Sequence, residues 1–498
     1  MAKNLVYDIH DKPKFGNMLI FAFQQLLAIL AATIAVPTII GLPTQIPAAI
    51  FGAGIGTLIY QLFTRFKSPV FLGSSFAFLS SLGVAVAYGY CGIVLGSIVA
   101  GLAYVAIAVV IHFVGTNWVS KLMPPVIIGP TVTVIGISLA VNAMGDIVKS
   151  NSSQINGKYN LVALLCGIVA FFTIVISSTQ KRYRMPRLIP FILGIGAGYL
   201  TASVFTAIGI AADIDYLKII NWDPLVNNFV NADGTFRGFK AFLDYPDFAI
   251  IEGIKELING NVSAEILGAN EKATVISLGG IAEVAIAFLP VALVVFAEHI
   301  ADHKNLSSII EKDLIEDPGL ERTLLGDGVG SIAGTVFGVC PNTTYGESVG
   351  CVAITRNASV CTITTTAIMC MVLSFFSPLM TLLQTIPSCV MGGVCLTLYG
   401  FIAVSGLKMF KDLDLNKAKN LFVVSAILIA GIGGLTIQIP YVLDATGAVV
   451  KTIQVTSVAT ALILGIVTNA ILTKVENSKL GKDPEEEAEK NEEPKSEE

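Results

Sequence analysis

Eleven stretches of this chain run for close to twenty residues with hardly a charge among them. They lie at 17–40, 46–64, 91–114, 122–144, 160–178, 187–209, 274–300, 360–383, 389–406, 418–438 and 454–473. Roughly 20 apolar residues in a helix cross the hydrocarbon core of a bilayer. So many such runs leave one class open, an integral membrane protein built mainly of helices. Composition agrees: 13% of residues are charged, about half the roughly 25% of soluble chains. Eight scattered cysteines form no CxxC pair, which argues against a disulfide or metal framework. A soluble enzyme, a disordered chain and a secreted scaffold are all excluded.

Loop charges set the orientation, because basic loops stay on the cytoplasmic side. "TRFKS" (64–68), "TQKRYRMPR" (179–187) and the lysines of 407–419 are basic, whereas "GLPTQIP" (41–47) and "QTIPS" (384–388) carry no charge. Both termini are then expected on the cytoplasmic side of the cell membrane. The polar segment 1–16 lacks the basic start and cleavage site of a signal peptide. Residues 210–272, with ten acids and five basic residues, form an external insertion, either a small cap or a mobile loop. The end 476–498 is an acidic cytoplasmic tail; residues 483–498 alone hold nine acids against two lysines. No basic stripe suggests nucleic acid.

Three further segments are apolar but interrupted: 70–88, 324–340 and 342–358. They bring the expected crossings to about 14, divided into repeats at 17–209 and 273–475. The third segment of each half is anomalous in the same way. "SPVFLGSSFAFLSSLGVAVAYG" (68–89) and "GVCPNTTYGESVGCVAITRNAS" (338–359) lie about 270 residues apart. An odd number of crossings per half makes the second half enter from the opposite side, the arithmetic of an inverted repeat. Gly, Ser, Thr, Asn and Pro are poor in helix interiors, and suit a short extended piece followed by a half-helix. Extended backbone at membrane depth is tolerated only when buried in protein or lining a cavity. There its free N–H groups, aided by the half-helix dipole, can bind an electronegative atom.

Ionisable residues at membrane depth are costly and mark functional sites. In "VVFAEHIADHKN" (294–305), Glu298 and Asp302 share one helix face, and His299 and His303 form a second pair four residues apart on an adjacent face. Glu347 sits in the interrupted segment itself, directly after Gly346. "EHIADH" is not the HExxH metalloprotease pattern and no third ligand is evident, so no metal or other cofactor is expected. No nucleophile set is visible either, and an enzyme is not expected. Low dielectric disfavours the charged form of a carboxyl group, which lets such a group carry a proton. Two carboxyls beside free backbone donors suit a flat, neutral heterocycle with alternating N–H and C=O groups, a pyrimidine or oxopurine.

At these residues the sequence resembles the nucleobase–ascorbate transporters, also called nucleobase:cation symporter family two, and most of all the bacterial uracil carriers among them. The resemblance runs over 17–473. It is carried by "QQLLAILAATIAVPTIIG" (24–41), "FLGSSFAF" (71–78), "MPPVIIGPTVTVIGISLA" (123–140), "AEHIADH" (297–303), "DPGLERTLLGDG" (317–328) and "GVCPNTTYGESVGCVAITR" (338–356). It implies an all-α polytopic membrane protein with 14 segments as two inverted sevens and short strands in segments 3 and 10. It further implies a core domain of segments one to four and eight to eleven, a gate domain of the others, and a homodimer through the gates. Glu298 and Glu347 would be the substrate carboxylates. The N–H groups of Phe76 and Gly346 would meet ring carbonyls, and Tyr345 and Tyr399 would wall the pocket. Protons would couple transport through Glu298, Asp302, Glu347 and His303. The implied activity is proton-coupled uracil import; a xanthine or urate carrier, or a sodium-coupled variant, is the alternative. Two positions depart from the pattern. Ser348 replaces the usual Asn after the acid. Asp302 stands where uracil carriers often have His and purine carriers Asp.

Overall fold

The computed structural model describes residues 5–150, 159–182, 186–187, 189–231, 233–443 and 449–478. The acidic stretch 483–498 lies outside the described residues. Among them, nine helices are long and apolar enough to cross a membrane. In chain order the main elements of the first half are α1 (Phe15–Ile39), α2 (Ile46–Phe63), β1 (Leu72–Ser74), α3 (Leu79–Val86), α4 (Gly89–Val114), α5 (Pro125–Asp146), α6 (Leu161–Thr179) and α7 (Pro190–Ala211). The insertion carries α8 (Ala249–Asn259). The second half holds α9 (Leu278–Ile310), α10 (Leu320–Phe337), β2 (Asn342–Thr344), α11 (Gly346–Thr355), α12 (Val360–Leu373), α13 (Ser377–Gln384), α14 (Ser388–Lys408), α15 (Ala418–Ile432), β3 (Ile437–Leu443), β4 (Val449–Val455) and α16 (Ser457–Glu476).

Local signals start these helices. Asn160 caps α6 by accepting from the N–H groups of Val162 and Ala163 at 2.8 and 3.0 Å. Ser277 and Thr456 cap α9 and α16 in the same manner, each satisfying a donor that a helix start leaves unpaired. Pro125 and Pro190 sit in first turns, where the missing N–H costs nothing.

The helices pack as two bundles. Bundle one holds α1–α4 and α9–α12; bundle two holds α5–α7 and α14–α16. They meet where α1 touches α7 and α14, and where α9 touches α5 and α16. β1 and β2 lie inside bundle one. They pair antiparallel, Leu72 opposite Thr344, Gly73 opposite Thr343 and Ser74 opposite Asn342. All six residues are buried. Each strand thus supplies the backbone partners that lipid cannot give the other.

Three expectations need correction. The apolar run 274–300 does not end its helix: α9 continues to Ile310, so Glu298 is well inside the helix rather than at its end. The run 360–383 breaks after Leu373 and restarts as α13. The run 418–438 gives a helix only to Ile432, after which the chain forms the hairpin β3–β4. The insertion is a folded cap: α8 packs on α4 and α10. On the far side, residues 6–9 run along Arg356–Val360, with Val6 N–H donating to Arg356 O at 2.8 Å and Val360 N–H to Ile9 O at 3.0 Å.

Candidate functional site

The centre of bundle one is where α9, the two strands and α11 converge. The N–H of Tyr345 donates to Phe71 O at 3.2 Å, and the N–H of Ser75 to Pro341 O at 2.9 Å, closing both ends of the strand pair. Each strand then turns into a helical piece. Phe76 opens a single turn that leads into α3, and Gly346 opens α11. Their N–H groups belong to helix starts, which have no partner within the helix.

Two carboxylates face this region. Glu347 lies in the first turn of α11. Glu298 projects from α9; both are half-buried, and Oε2 of Glu298 is buried without a hydrogen bond. Glu298 lies within electrostatic reach of Asp302, Glu347 and Asp327. Asp302, one turn beyond Glu298, accepts from the Thr344 hydroxyl through Oδ2 at 2.7 Å. A Cβ placed on Gly346 would stand 3.9 Å from Oδ1 of the same group. Asp302 therefore ties α9 to the end of β2 and the start of α11.

The aromatic residues divide. Tyr399 of α14 is buried and meets Phe76 edge to face, centroids 5.3 Å apart at 87°, so it joins bundle two to the turn that bears a candidate donor. Tyr345 is fixed within the strand pair. It is buried, its hydroxyl donates to Ser74 O at 3.0 Å, and its ring fills the space a Cβ on Gly73 would need, 2.3 Å away. It is a strut between the strands.

His303 takes other partners. Its Nδ1–H donates to His299 O at 2.8 Å, and its Nε2 pairs with the Tyr60 hydroxyl at 2.7 Å. The His299 ring lies 4.1 Å from it, tilted by 30°, and its Nδ1 pairs with Asp327 Oδ2 at 2.7 Å. All three ionisable groups are fully buried. This second network on α9 faces α2 and α10, behind the face that carries Glu298. Sequence reasoning missed Asp327, Thr344 and Tyr60. Asp327 had a signal: it is a lone acid between two glycines in an otherwise uncharged stretch, 323–346. Thr344 and Tyr60 had none, since buried hydroxyls look alike in a sequence. Also unforeseen is a bond between the halves next to Glu347, in which the Gln25 amide donates to Ser348 Oγ at 2.6 Å.

Comparison with known proteins follows the same geometry. A family profile described as "Permease family" matches residues 16–232 and 270–440, leaving out most of the insertion. The chain is 34% identical over 470 residues to the uracil permease of Bacillus caldolyticus, covering 94% of each. It is 34% identical over 474 residues to that of Bacillus subtilis (strain 168), covering 94% of this chain and 96% of the relative. It is 31% identical over 436 residues to that of Escherichia coli (strain K12), covering 86% and 88%. Among solved structures, the transmembrane domain of the cyanobacterial bicarbonate transporter BicA superposes with TM-score 0.53 at 14% identity, covering 93% of this chain and all of that one. Murine Slc26a9 in the inward-facing state superposes with TM-score 0.57 at 11% identity, covering 94% and 69%. These two share the fold. Sequence match, helical architecture and site lead to one assignment: the chain belongs to the permease family of nucleobase–ascorbate transporters, multi-pass membrane transporters rather than enzymes.

Proposed function

We propose that this protein imports uracil across the cell membrane together with a proton. The observation that carries the reading is the convergence of Glu298 and Glu347 on the paired strands, beside the N–H groups of Phe76 and Gly346. Uracil has two ring N–H donors and two carbonyl acceptors, which two carboxyls and two backbone donors complement. The curated relatives with uracil in their names support the same ligand.

A neutral ligand brings no charge to offset a pair of facing carboxylates. A proton on one of them completes the charge balance, and Asp302 stands one turn away to pass it on. Proton and ligand need only stabilise the same conformer for their transport to be linked. Bundle one serves as the moving core and bundle two as the gate, with two inverted sets of seven segments. Both termini are cytoplasmic, the insertion is external and the gates of two copies pair. No cofactor beyond the coupling ion takes part.

Asp302 also favours a second reading, a xanthine carrier on the same scaffold, since its position is Asp in the purine branch. Uptake into vesicles separates the two: uracil, xanthine and hypoxanthine compete for labelled uracil with and without a pH gradient. Uracil should compete best, and uptake should rise as external pH falls and collapse with a protonophore. Uptake that survives the protonophore but needs sodium would replace the proton by sodium.

A further inference from the structure

The chain crosses between the two bundles three times: after α4, after α7 and after α12. The last two crossings lie on the face covered by the insertion and are fastened to each other. Ser377 N–H donates to Phe242 O at 3.0 Å, Asp244 N–H to Phe375 O at 3.1 Å, and the Ser377 hydroxyl to Asn228 Oδ1 at 2.6 Å.

The insertion also has two separate anchors. Its near end is fixed to bundle two. The Thr206 hydroxyl of α7 accepts the N–H groups of Ile219 and Ile220 at 3.0 and 3.1 Å, and Asn160 at the start of α6 donates to Tyr216 O at 3.0 Å. Its far end is fixed to bundle one. Glu256 accepts Tyr90 N–H of α4 at 2.8 Å, Glu265 accepts the Tyr90 hydroxyl at 2.6 Å, and the Phe248 ring lies 5.1 and 5.6 Å from Phe51 of α2 and Phe337 of α10. The far end is the part that the family match does not include.

We propose that the insertion is a strap across the bundles. Residues 238–274 travel with bundle one, residues 213–222 stay with bundle two, and the strap favours the conformer described here over the other conformer of the cycle. The proposal rests on the reading that the bundles move against each other. Contacts made in one conformer alone bias the equilibrium towards it, and anchors on both bundles can be kept only while their relative position holds.

Severing the strap tests this without touching a packed residue. A protease site placed between Asp233 and Gly234, in an exposed turn, allows the full chain to be cut after reconstitution. Spin labels at Lys304→Cys in bundle one and Lys417→Cys in bundle two, both exposed, report the distance between bundles. The minor distance population should grow by about threefold or more after cutting. Identical distances before and after, also with Asn228→Ala to release the 2.9 Å bond from its amide to Ala241 O across the cut, would overturn the strap. Uracil binding to the uncut protein is measured alongside; its absence would count against the proposed function and not against the strap.

A second variant tests which bundle carries the cap. A Cβ on Gly253 would lie 3.1 Å from Cys91 Sγ, close to the Cβ-to-sulfur separation inside a disulfide. Oxidised Gly253→Cys, bonded to Cys91, should take up uracil at about the rate of its reduced form, within roughly twofold. Uptake lost on oxidation and restored by reductant would show that the cap must leave α4, and would overturn its assignment to bundle one.

Discussion

The Thr344 hydroxyl donates to Oδ2 of Asp302 across 2.7 Å, and this bond sets the spacing between the helix of Glu298 and the strand that leads to Glu347. The two carboxylates come from segments 49 residues apart in sequence, and no covalent feature fixes their separation. A buried hydrogen bond to a charged acceptor contributes about 1.5–3 kcal/mol. Thr344→Val should therefore weaken uracil binding without removing a ligand-contacting group, while Thr344→Ser retains it. Equilibrium binding of labelled uracil to purified protein checks both.

Glu298→Gln should reduce uracil affinity on the order of 10–150-fold, the equivalent of about 1.5–3 kcal/mol for a lost charged hydrogen bond. The variant should insert and melt like the parent. Glu347→Gln should shift preference towards oxopurines, because an amide both donates and accepts. Competition binding with uracil and xanthine reads both effects, and parental affinity in Glu298→Gln would remove Glu298 from the site.

Asp302→Asn should keep uracil binding within a few-fold, since Thr344 can still donate to the amide oxygen. Proton-driven accumulation should fall much further, because the amide cannot carry a proton between conformers. The test compares equilibrium binding with uptake under an imposed pH gradient. Equal losses in the two assays would make Asp302 a structural group alone.

Gly334 offers a stability test far from any carboxylate. A Cβ there would stand 2.1 Å from Nδ2 of Asn342, and Asn342 cannot swing aside without losing its 2.9 Å bond to Gly52 O. Overpacking a tight core costs about 1–3 kcal/mol. Gly334→Ala should lower the melting temperature in detergent and weaken uracil binding with it, since β2 carries Asn342.

The cap should respond to pH. Burial raises the proton affinity of the Glu256 and Glu265 carboxyls above the ordinary value. Glu256 faces Tyr90, Cys91 and Ser263; Glu265 faces Tyr90, Gln45, Asp247 and Glu252. Each carboxyl binds a proton more tightly docked than free, so proton uptake favours docking. Attachment is strongest below the pKa of a free glutamate and weakens as pH rises through the raised value. Hydrogen exchange of α8, corrected for intrinsic rates, should show protection falling as pH rises above the range of a free glutamate. Glu256→Gln with Glu265→Gln should flatten that profile.

Sequence reading reached as far as local physics reaches. Apolar length marked the spans, and clustered small residues at 71–78 and 338–346 marked the interruptions, because helix propensity and lipid solvation act locally. The acids Glu298, Asp302 and Glu347 stood out because charge is rare in such surroundings. Facing and partners lay beyond that reach. His303 sits next to Asp302 in sequence, yet a helix turns about 100° per residue, which sends it to Tyr60. The direction of the Tyr345 ring depends on Gly73, 272 residues earlier. The hairpin β3–β4 was hidden because an apolar strand and an apolar helix read alike over short runs.

The pairing of Leu72 with Thr344 also constrains how the molecule is made. Segment three leaves the ribosome long before segment ten is translated. Its extended backbone must wait through more than half of synthesis for the partner that satisfies it, exposed to the bilayer or sheltered by other proteins of the insertion machinery. Residues 1–209 made alone should be a substrate for quality-control proteolysis, and co-expression of residues 273–498 should rescue them. For this chain, assembling the binding site and finishing the fold are one late event.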